Sequence, residues 1–335
     1  MRTSVIAVNL VLVAAGLAVL ARGADAFVVA AARLAVTLRL SPVVVGAVVV
    51  GFGTGAPELL VSTLAAGRGS IDLAAGNIVG SNLANLTLVL GVAGVVARPE
   101  TLPRVVRREA PLSLAAVALF ALVVQGGLTR VEGGVLVAAL VVAVVVMLRA
   151  AGPDDPAGRP EPATEELVVE LEERIEGPGE ADLAAVAAAP TGRDLGRVAA
   201  GLAATVAGAH VLVVGAQRIA EDLGLSGGFV GLTLVAVGTS LPELVTAVQS
   251  ARRGETALLA GNVLGSNVFN STAVGGAAAL VGPGAITDGG LTVVGGVSMV
   301  VVAALAWLFL GLGGRLSRAD AVVLLGIYAG TLALV

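Results

Sequence analysis

The sequence contains no cysteine and no lysine, and aromatic residues make up only 2% of it. Without cysteine the chain can form neither a disulfide bond nor a thiolate metal site. Charged residues make up 13% and the formal net charge is −4, so no basic surface for nucleic acid is indicated. Hydrophobic residues make up 57%, more than the surface of a soluble domain accommodates. The composition therefore predicts a protein embedded in membrane lipid.

Apolar segments recur along the chain at the length that a membrane-spanning helix needs, about 20 residues for a hydrocarbon core of roughly 30 Å. The N-terminal segment also has the pattern of a cleaved signal peptide, but Val13–Ala18 is repeated at Val198–Ala203, which favours a retained helix. We predict an all-α integral membrane protein with ten transmembrane helices, at residues 4–32, 42–67, 71–97, 106–125, 131–149, 196–221, 228–251, 256–281, 290–312 and 319–335.

The two halves of the chain repeat each other at an offset of 185 residues. The motif GTxxPEL occurs at Gly53–Leu59 and again at Gly238–Leu244. The motif GNxxGSNxxN occurs at Gly76–Asn85 and at Gly261–Asn270. Such self-similarity indicates a duplicated unit. Because five helices are an odd number, the second unit enters the membrane from the opposite side, as in transporters built from inverted repeats.

These units define the predicted domains, with a first five-helix repeat at 1–149, an acidic linker at 150–195 and a second five-helix repeat at 196–335. The linker is the strongly hydrophilic part of the chain and is rich in glutamate. Arginines follow the first, third, seventh and ninth predicted helices. The positive-inside rule then places the N-terminus outside the cell and the linker in the cytoplasm, with the protein in the plasma membrane.

Two glutamates, Glu58 and Glu243, lie in the middle of predicted membrane helices. A charged carboxylate at the bilayer centre costs roughly 3 kcal/mol on insertion scales. The arginines of these helices lie near the helix ends, so they are poor partners for either carboxylate. We therefore expect a metal cation to bind between the two glutamates.

The residues before each glutamate predict a broken helix. Pro57 and Pro242 have no backbone N–H, and glycines precede both, so the helix opens about one turn earlier. An opened helix exposes main-chain carbonyls, and calcium prefers carboxylate and carbonyl oxygens. The carbonyls expected to be exposed belong to Gly51, Thr54, Ala236 and Thr239.

The second motif adds polar side chains on one face of a helix. The spacing of four places Asn77, Ser81 and Asn85 on the same face, and it does the same for Asn262, Ser266 and Asn270. Such a stripe can serve hydrogen bonding between helices, worth about 0.6 kcal/mol per contact. Two stripes in register with two buried glutamates favour an ion pathway instead.

The charge of the predicted site is typical of an exchanger. Two carboxylates neutralise one Ca²⁺ or two monovalent cations at the same place. Exposing the two carboxylates to the membrane interior without a bound cation is costly. A site that changes sides of the membrane only when it holds a cation exchanges one ion for another, which is antiport.

At these residues the chain resembles the sodium/calcium exchanger family, within the cation/calcium exchanger superfamily. The resemblance implies ten helices, an outside N-terminus and a calcium position flanked by sodium positions. It implies calcium ligands at Glu58 and Glu243, with the carbonyls of Thr54 and Thr239. It implies that the sodium positions are completed by Ser81, Ser266, Asn85, Asn270, Ser240 and the carbonyls of Gly51 and Ala236.

Two positions depart from the family pattern. Asn270 stands where well-studied sodium/calcium members of the family carry an aspartate, and Gly55 stands where the second motif has Ser240. Both changes weaken the expected binding of sodium. They leave open which ion is coupled to calcium.

We therefore expect a calcium antiporter driven by sodium, with a calcium/proton antiporter as the alternative and a cation channel as a different class. An enzyme is disfavoured because the HExxH metalloprotease motif is absent and the chain has one histidine. We expect no prosthetic group, and we expect that a single chain surrounded by lipid suffices for transport.

Overall fold

The computed structural model describes residues 8–23, 26, 54–101, 105–149, 192–253, 256–312 and 314–334. These residues are mostly helical. Five of the described helices are long and apolar enough to cross a membrane. The prediction of ten spans as two inverted repeats is not confirmed by this count, and it stays a prediction.

The described helices, in chain order, are α1 (Val8–Gly23), α2 (Ala56–Gly67), α3 (Ile71–Ala97), α4 (Val105–Gly126), α5 (Arg130–Arg149), α6 (Gly192–Leu223), α7 (Gly227–Thr239), α8 (Leu241–Arg253), α9 (256–281), α10 (Gly290–Gly311) and α11 (Arg318–Leu334).

These bounds agree closely with the predicted helices wherever both are described. Residues 8–23 and 26 of the first predicted helix are described, whereas residues 42–53 of the second lie outside the described part of the chain, and so does most of the linker. The helix α6 already begins at Gly192, so the last residues assigned to the linker are helical.

The sequence repeat is also a repeat of local structure. Several helices contain a π-helical turn, which accommodates one extra residue. The π turns Asn85–Val89 in α3 and Asn270–Val274 in α9 begin 185 residues apart, and so do Val105–Glu109 in α4 and Gly290–Gly295 in α10. Both units therefore carry the same irregularities at equivalent positions. A fifth π turn, Gly231–Val235, lies in α7.

A threonine occupies the third position of four of these five π turns, and its hydroxyl donates to a main-chain carbonyl three or four residues earlier. These threonines are Thr87, Thr233, Thr272 and Thr292. A threonine that bonds backward in this way competes with the regular ladder of the helix and bends it. Four of the five π turns therefore share a local feature of the sequence.

Polar residues fix the ends of several helices. Thr129 and Glu132 exchange side-chain to backbone hydrogen bonds at the start of α5, and Ser317 and Asp320 do the same at the start of α11. These reciprocal pairs are capping boxes, which satisfy N–H groups that the helix itself cannot bond. The chain therefore begins these helices at defined positions.

Helix α3 lies at the centre of the described structure. In its most apolar window 83% is buried, against 17% for α5, which is mainly exposed to lipid. Helix α7 approaches α3 closely at two glycines. A Cβ added to Gly76 would lie 2.3 Å from the carbonyl oxygen of Gly228, and one added to Gly80 would lie 2.4 Å from that of Leu232. Glycine in α3 therefore allows main chain to pack against main chain.

The break predicted in the second motif is present. Helix α7 ends at Thr239, and α8 begins at Leu241, with Ser240 between them. Because Pro242 has no N–H, the carbonyl of Gly238 four residues earlier has no helical donor. In the first motif, α2 begins at Ala56, while the predicted opening near Gly51 lies outside the described residues.

Candidate functional site

The two glutamates lie at equivalent positions, each in the first turn of a helix, Glu58 in α2 and Glu243 in α8. Both side chains are completely buried. They lie near enough to each other for their charges to interact. The N-terminal end of a helix carries a partial positive charge, which favours a carboxylate there. The first turns of α2 and α8 therefore each direct one carboxylate into the same buried region.

The two carboxylates differ in their hydrogen bonds. Ser240 donates from Oγ to Oε1 of Glu58 at 3.2 Å, while Oε2 of Glu58 has no hydrogen-bond partner. Neither Oε1 nor Oε2 of Glu243 has one. Among the described residues, Arg108 and Glu109 form an ion pair at the start of α4, and this pair involves neither Glu58 nor Glu243. Buried carboxylate oxygens without partners are costly, which makes this region suited to a cation.

Each motif threonine lies beside the glutamate and the asparagine of the other half. The hydroxyl of Thr239 donates to Oδ1 of Asn77 at 3.3 Å and lies beside Glu58. The hydroxyl of Thr54 donates to Oδ1 of Asn262 at 3.5 Å and lies beside Glu243. The site is therefore built from both halves, and neither half assembles it alone.

Of the predicted polar stripes, Ser81 lies beside Glu58, and the turns that begin at Asn85 and Asn270 pack against α8 and α2. Ser81, Asn85, Ser266 and Asn270 are completely buried. Their side-chain oxygen and nitrogen atoms have no hydrogen-bond partner. The hydroxyl of Ser81 faces the carboxylate of Glu58 without hydrogen-bonding geometry. These atoms therefore make no hydrogen bonds between helices and remain candidates for binding a ligand.

The remaining stripe residues, Asn77 and Asn262, are used differently. Both are buried and hydrogen-bonded to neighbouring helices. For these two positions the interpretation as contacts between helices describes the structure better than a direct role as ligands.

The carbonyl of Ala236 was expected to be exposed, but it accepts the N–H of Ser240 at 3.0 Å and the hydroxyl of Thr239 at 3.3 Å. Ser240 itself is 3% exposed and directs its hydroxyl at Glu58. Gly51 lies outside the described residues.

Two asparagines near the site were missed by sequence reasoning. Asn82 donates from Nδ2 to Oγ of Ser271 at 3.1 Å, and Asn267 donates from Nδ2 to the carbonyl of Asn82 at 3.2 Å. These bonds join α3 to α9. The Oδ1 atoms of both asparagines are buried without a partner. Their signal was present, because both occur in the repeated GSN triplet.

The donor set decides which chemistry the site supports. Within the described ranges no cluster of three or more histidine, cysteine or acidic side chains is found. A bound cation would therefore take two carboxylates and otherwise neutral hydroxyl, amide and carbonyl oxygens. Hard cations such as Ca²⁺ bind six to eight oxygens of these kinds. Soft or borderline transition metals prefer thiolate and imidazole ligands, which the site lacks.

Comparison with known proteins agrees with this geometry. The family model for the sodium/calcium exchanger protein matches residues 8–149 and 194–335. The chain is 33% identical over 326 residues to CaxA of Alkalimonas amylolytica, covering 96% of each protein. It is 35% identical to inner membrane protein YrbG of Escherichia coli, covering 81% of this chain and 79% of YrbG.

Two further relatives carry the name of the family. Sodium/calcium exchanger MaX1 of Methanosarcina acetivorans is 29% identical over 98% of both chains. The solved structure of sodium-calcium exchanger NCX_Mj soaked with 10 mM Na⁺ and zero Ca²⁺ has a TM-score of 0.64 and 25% identity, covering 98% of this chain and 99% of that chain. This helical chain with two buried glutamates is a membrane antiporter that belongs to the sodium/calcium exchanger family.

Proposed function

We propose that the protein is a secondary active antiporter that moves Ca²⁺ across the membrane in exchange for Na⁺ by alternating access. The observation that carries this proposal is the pair of buried carboxylates, one from each half, whose oxygens largely lack partners. Names of relatives such as sodium/calcium exchanger MaX1 support the same choice of ions.

The proposed site holds Ca²⁺ between Glu58 and Glu243. The carbonyls of Thr54 and Thr239 complete the calcium shell, and the sodium positions use Ser81, Ser266, Asn85, Asn270, Ser240, Gly51 and Ala236. One Ca²⁺ or more than one Na⁺ offsets the two negative charges. The empty site does not switch between the two sides of the membrane, because two unpaired carboxylates cost much free energy in a low-dielectric environment. Filling the site with either ion lowers that cost, which couples the two fluxes.

The architecture that we propose for this cycle is two inverted five-helix repeats, residues 1–149 and 196–335, with the ion site where the two broken helices meet. The repeat of π turns at an offset of 185 residues supports the duplication. The N-terminus lies outside, and residues 150–195 form a cytoplasmic linker in a plasma-membrane protein. One chain in lipid, without a prosthetic group, suffices for transport.

A calcium/proton antiporter is the second candidate. Two observations favour it, the neutral amide of Asn270 and the two oxygens of Glu243 that lack partners. A proton on Glu243 would satisfy part of this deficit without a second metal ion.

The two candidates are separated by reconstituting the purified protein in liposomes. Uptake of radioactive calcium is measured with an outward sodium gradient at equal pH, and then with a pH gradient in the absence of sodium. We expect uptake only with the sodium gradient, and a chain with both glutamates changed to glutamine is the control. Uptake driven by the pH gradient alone would overturn the sodium proposal in favour of the second candidate.

A further inference from the structure

Two threonine–asparagine hydrogen bonds cross between the halves in a matching way. Thr239, at the end of α7, donates to Asn77 of α3. Thr54, just before α2, donates to Asn262 of α9. Each residue of the first pair lies 185 positions from its counterpart in the second. All four side chains are buried, with exposed fractions of 8% or less.

Both asparagines are held by further contacts of their own. Asn77 donates from Nδ2 to Oγ of Ser62 in α2 at 2.9 Å. Asn262 donates from Nδ2 to the carbonyl of Glu243 in α8 at 3.2 Å. Each asparagine therefore has its amide nitrogen fixed to one broken helix and its amide oxygen directed at the threonine of the other. A side chain bonded on both sides has little freedom to rotate.

These hydrogen bonds link the end of α7 to α3, and the residue before α2 to α9. Thr239 is the last residue of α7 before Ser240. Ser240 keeps regular bonds to Ala236 and from Leu244, but Pro242 offers no N–H to the carbonyl of Gly238.

The hydroxyl of Thr239 lies 3.3 Å from both Oδ1 of Asn77 and the carbonyl oxygen of Ala236, and its one hydrogen is shared between them. The contact with Asn77 supplies a constraint from outside its own helix. The approach of α7 to α3 at Gly76 and Gly80 brings the two residues within reach.

We propose that Asn77 and Asn262 are positioning residues, which hold Thr239 and Thr54 so that the main-chain carbonyls of these threonines face the bound calcium ion. This inference rests on the proposed function. The asparagines do not touch the ion, and their effect reaches it through the threonine hydroxyls. A loose threonine leaves the carbonyl misaligned, which weakens calcium binding more than the turnover of a loaded site.

The first test removes one hydroxyl while keeping the carbonyl. Thr239→Val preserves the shape and the main chain, and Thr239→Ser preserves the hydroxyl. We expect Thr239→Val to raise the half-saturating calcium concentration by about three- to tenfold, the equivalent of one net hydrogen bond, with a smaller change in maximal rate. Thr239→Ser should restore most of the wild-type value.

The matched control is Thr205→Val in α6. Thr205 is as buried as Thr239, but its hydroxyl donates at 2.8 Å to the carbonyl of Gly201 in the same helix. We expect this variant to leave the half-saturating calcium concentration unchanged. Calcium protection against thermal unfolding of the purified protein measures binding independently of transport.

The second test is a double-mutant cycle of Asn77→Ala and Thr239→Val. Residues that act through one hydrogen bond are not additive, so we expect the double variant to bind calcium about as weakly as the worse single variant. Additive losses, or a Thr239→Val protein with wild-type calcium affinity, would overturn the positioning role. Both of these results concern variants and leave sodium-driven calcium uptake by the wild-type protein intact. If instead the wild-type protein shows no sodium-driven calcium uptake, the proposed function itself is wrong.

Discussion

The glutamates of the two halves occupy equivalent positions but unequal surroundings. Glu58 accepts a hydrogen bond from Ser240, whereas both carboxylate oxygens of Glu243 lack partners. The residue equivalent to Ser240 in the first half is Gly55, which has no side chain to offer. We therefore expect this difference within a duplicated motif to make Glu243 depend more strongly on a bound cation. A repeated sequence need not produce two equal half-sites.

The largest expected effect comes from removing either charge. We expect Glu58→Gln and Glu243→Gln each to lower sodium-driven calcium uptake by about 100-fold or more. The reason is that removing one partner from a buried pair of opposite charges, here a carboxylate and the bound cation, costs about 3–5 kcal/mol. Uptake into liposomes measures the loss, and gel filtration shows whether the variant is folded. Near-normal uptake in either variant would remove that glutamate from the site.

The next effect tests the neutral residue of the second half. We expect Asn270→Asp to lower the half-saturating sodium concentration by about tenfold, because a third carboxylate adds attraction for monovalent cations at the proposed site. Asn85→Asp is the matched variant in the first half. The measurement is calcium uptake against sodium concentration, and an unchanged sodium dependence in Asn270→Asp would show that this position does not set coupling.

A smaller effect is expected on stability without cations. The melting temperatures are compared in chelator and without sodium. We expect Glu243→Gln to raise the melting temperature by about 2–4 °C more than Glu58→Gln does, the shift that corresponds to about 1 kcal/mol in the free energy of unfolding. The reason is that an amide without a partner costs less to bury than a carboxylate without one. Equal shifts would mean that the bond from Ser240 does not distinguish the two glutamates.

The smallest effect comes from exchanging the residues that create the difference. We expect Ser240→Ala to lower the cation-free melting temperature and Gly55→Ser to raise it, each by about 1–3 °C. Gly55 has φ −83° and ψ −2°, so serine fits its backbone without strain. If Gly55→Ser changes nothing, the new hydroxyl does not reach Glu243, and the two halves differ in more than this residue.

The sequence predicts that Glu58 and Glu243 lie inside the protein, which the structure confirms, but it does not predict which side chains pair across the two halves. A charge in an apolar run and a proline before it identify Glu58, Glu243 and the helix break, because both features are costly unless used. The contacts of Thr54 with Asn262 and of Thr239 with Asn77 depend on how the halves pack, and no local pattern specifies that. The spacing of four suggested one shared role for Asn77, Ser81 and Asn85, yet Asn77 is engaged by its neighbours while the other two are not.

The π turns were also absent from the prediction, although they have a local signal. The third residue of the turns at 85–89, 231–235, 270–274 and 290–295 is threonine. Threonine in a helix is common enough that only its recurrence at equivalent places in both halves carries information. Hydrophobic periodicity predicts helices on the assumption of 3.6 residues per turn, so it does not reveal a turn that contains one additional residue.

That additional residue also predicts how the protein responds to deletions. Removing one amino acid from 86–89 would let α3 continue as an ordinary α-helix, with every hydrogen bond intact. Downstream of the deletion the residues would keep nearly the faces that they present now, because the π turn already absorbs the extra residue without changing the phase of the helix. Val95 and Val96 would therefore stay exposed. The change would be confined to the widened turn that begins at Asn85, so a deletion there would probe the site while leaving the packing of the rest of α3 in place.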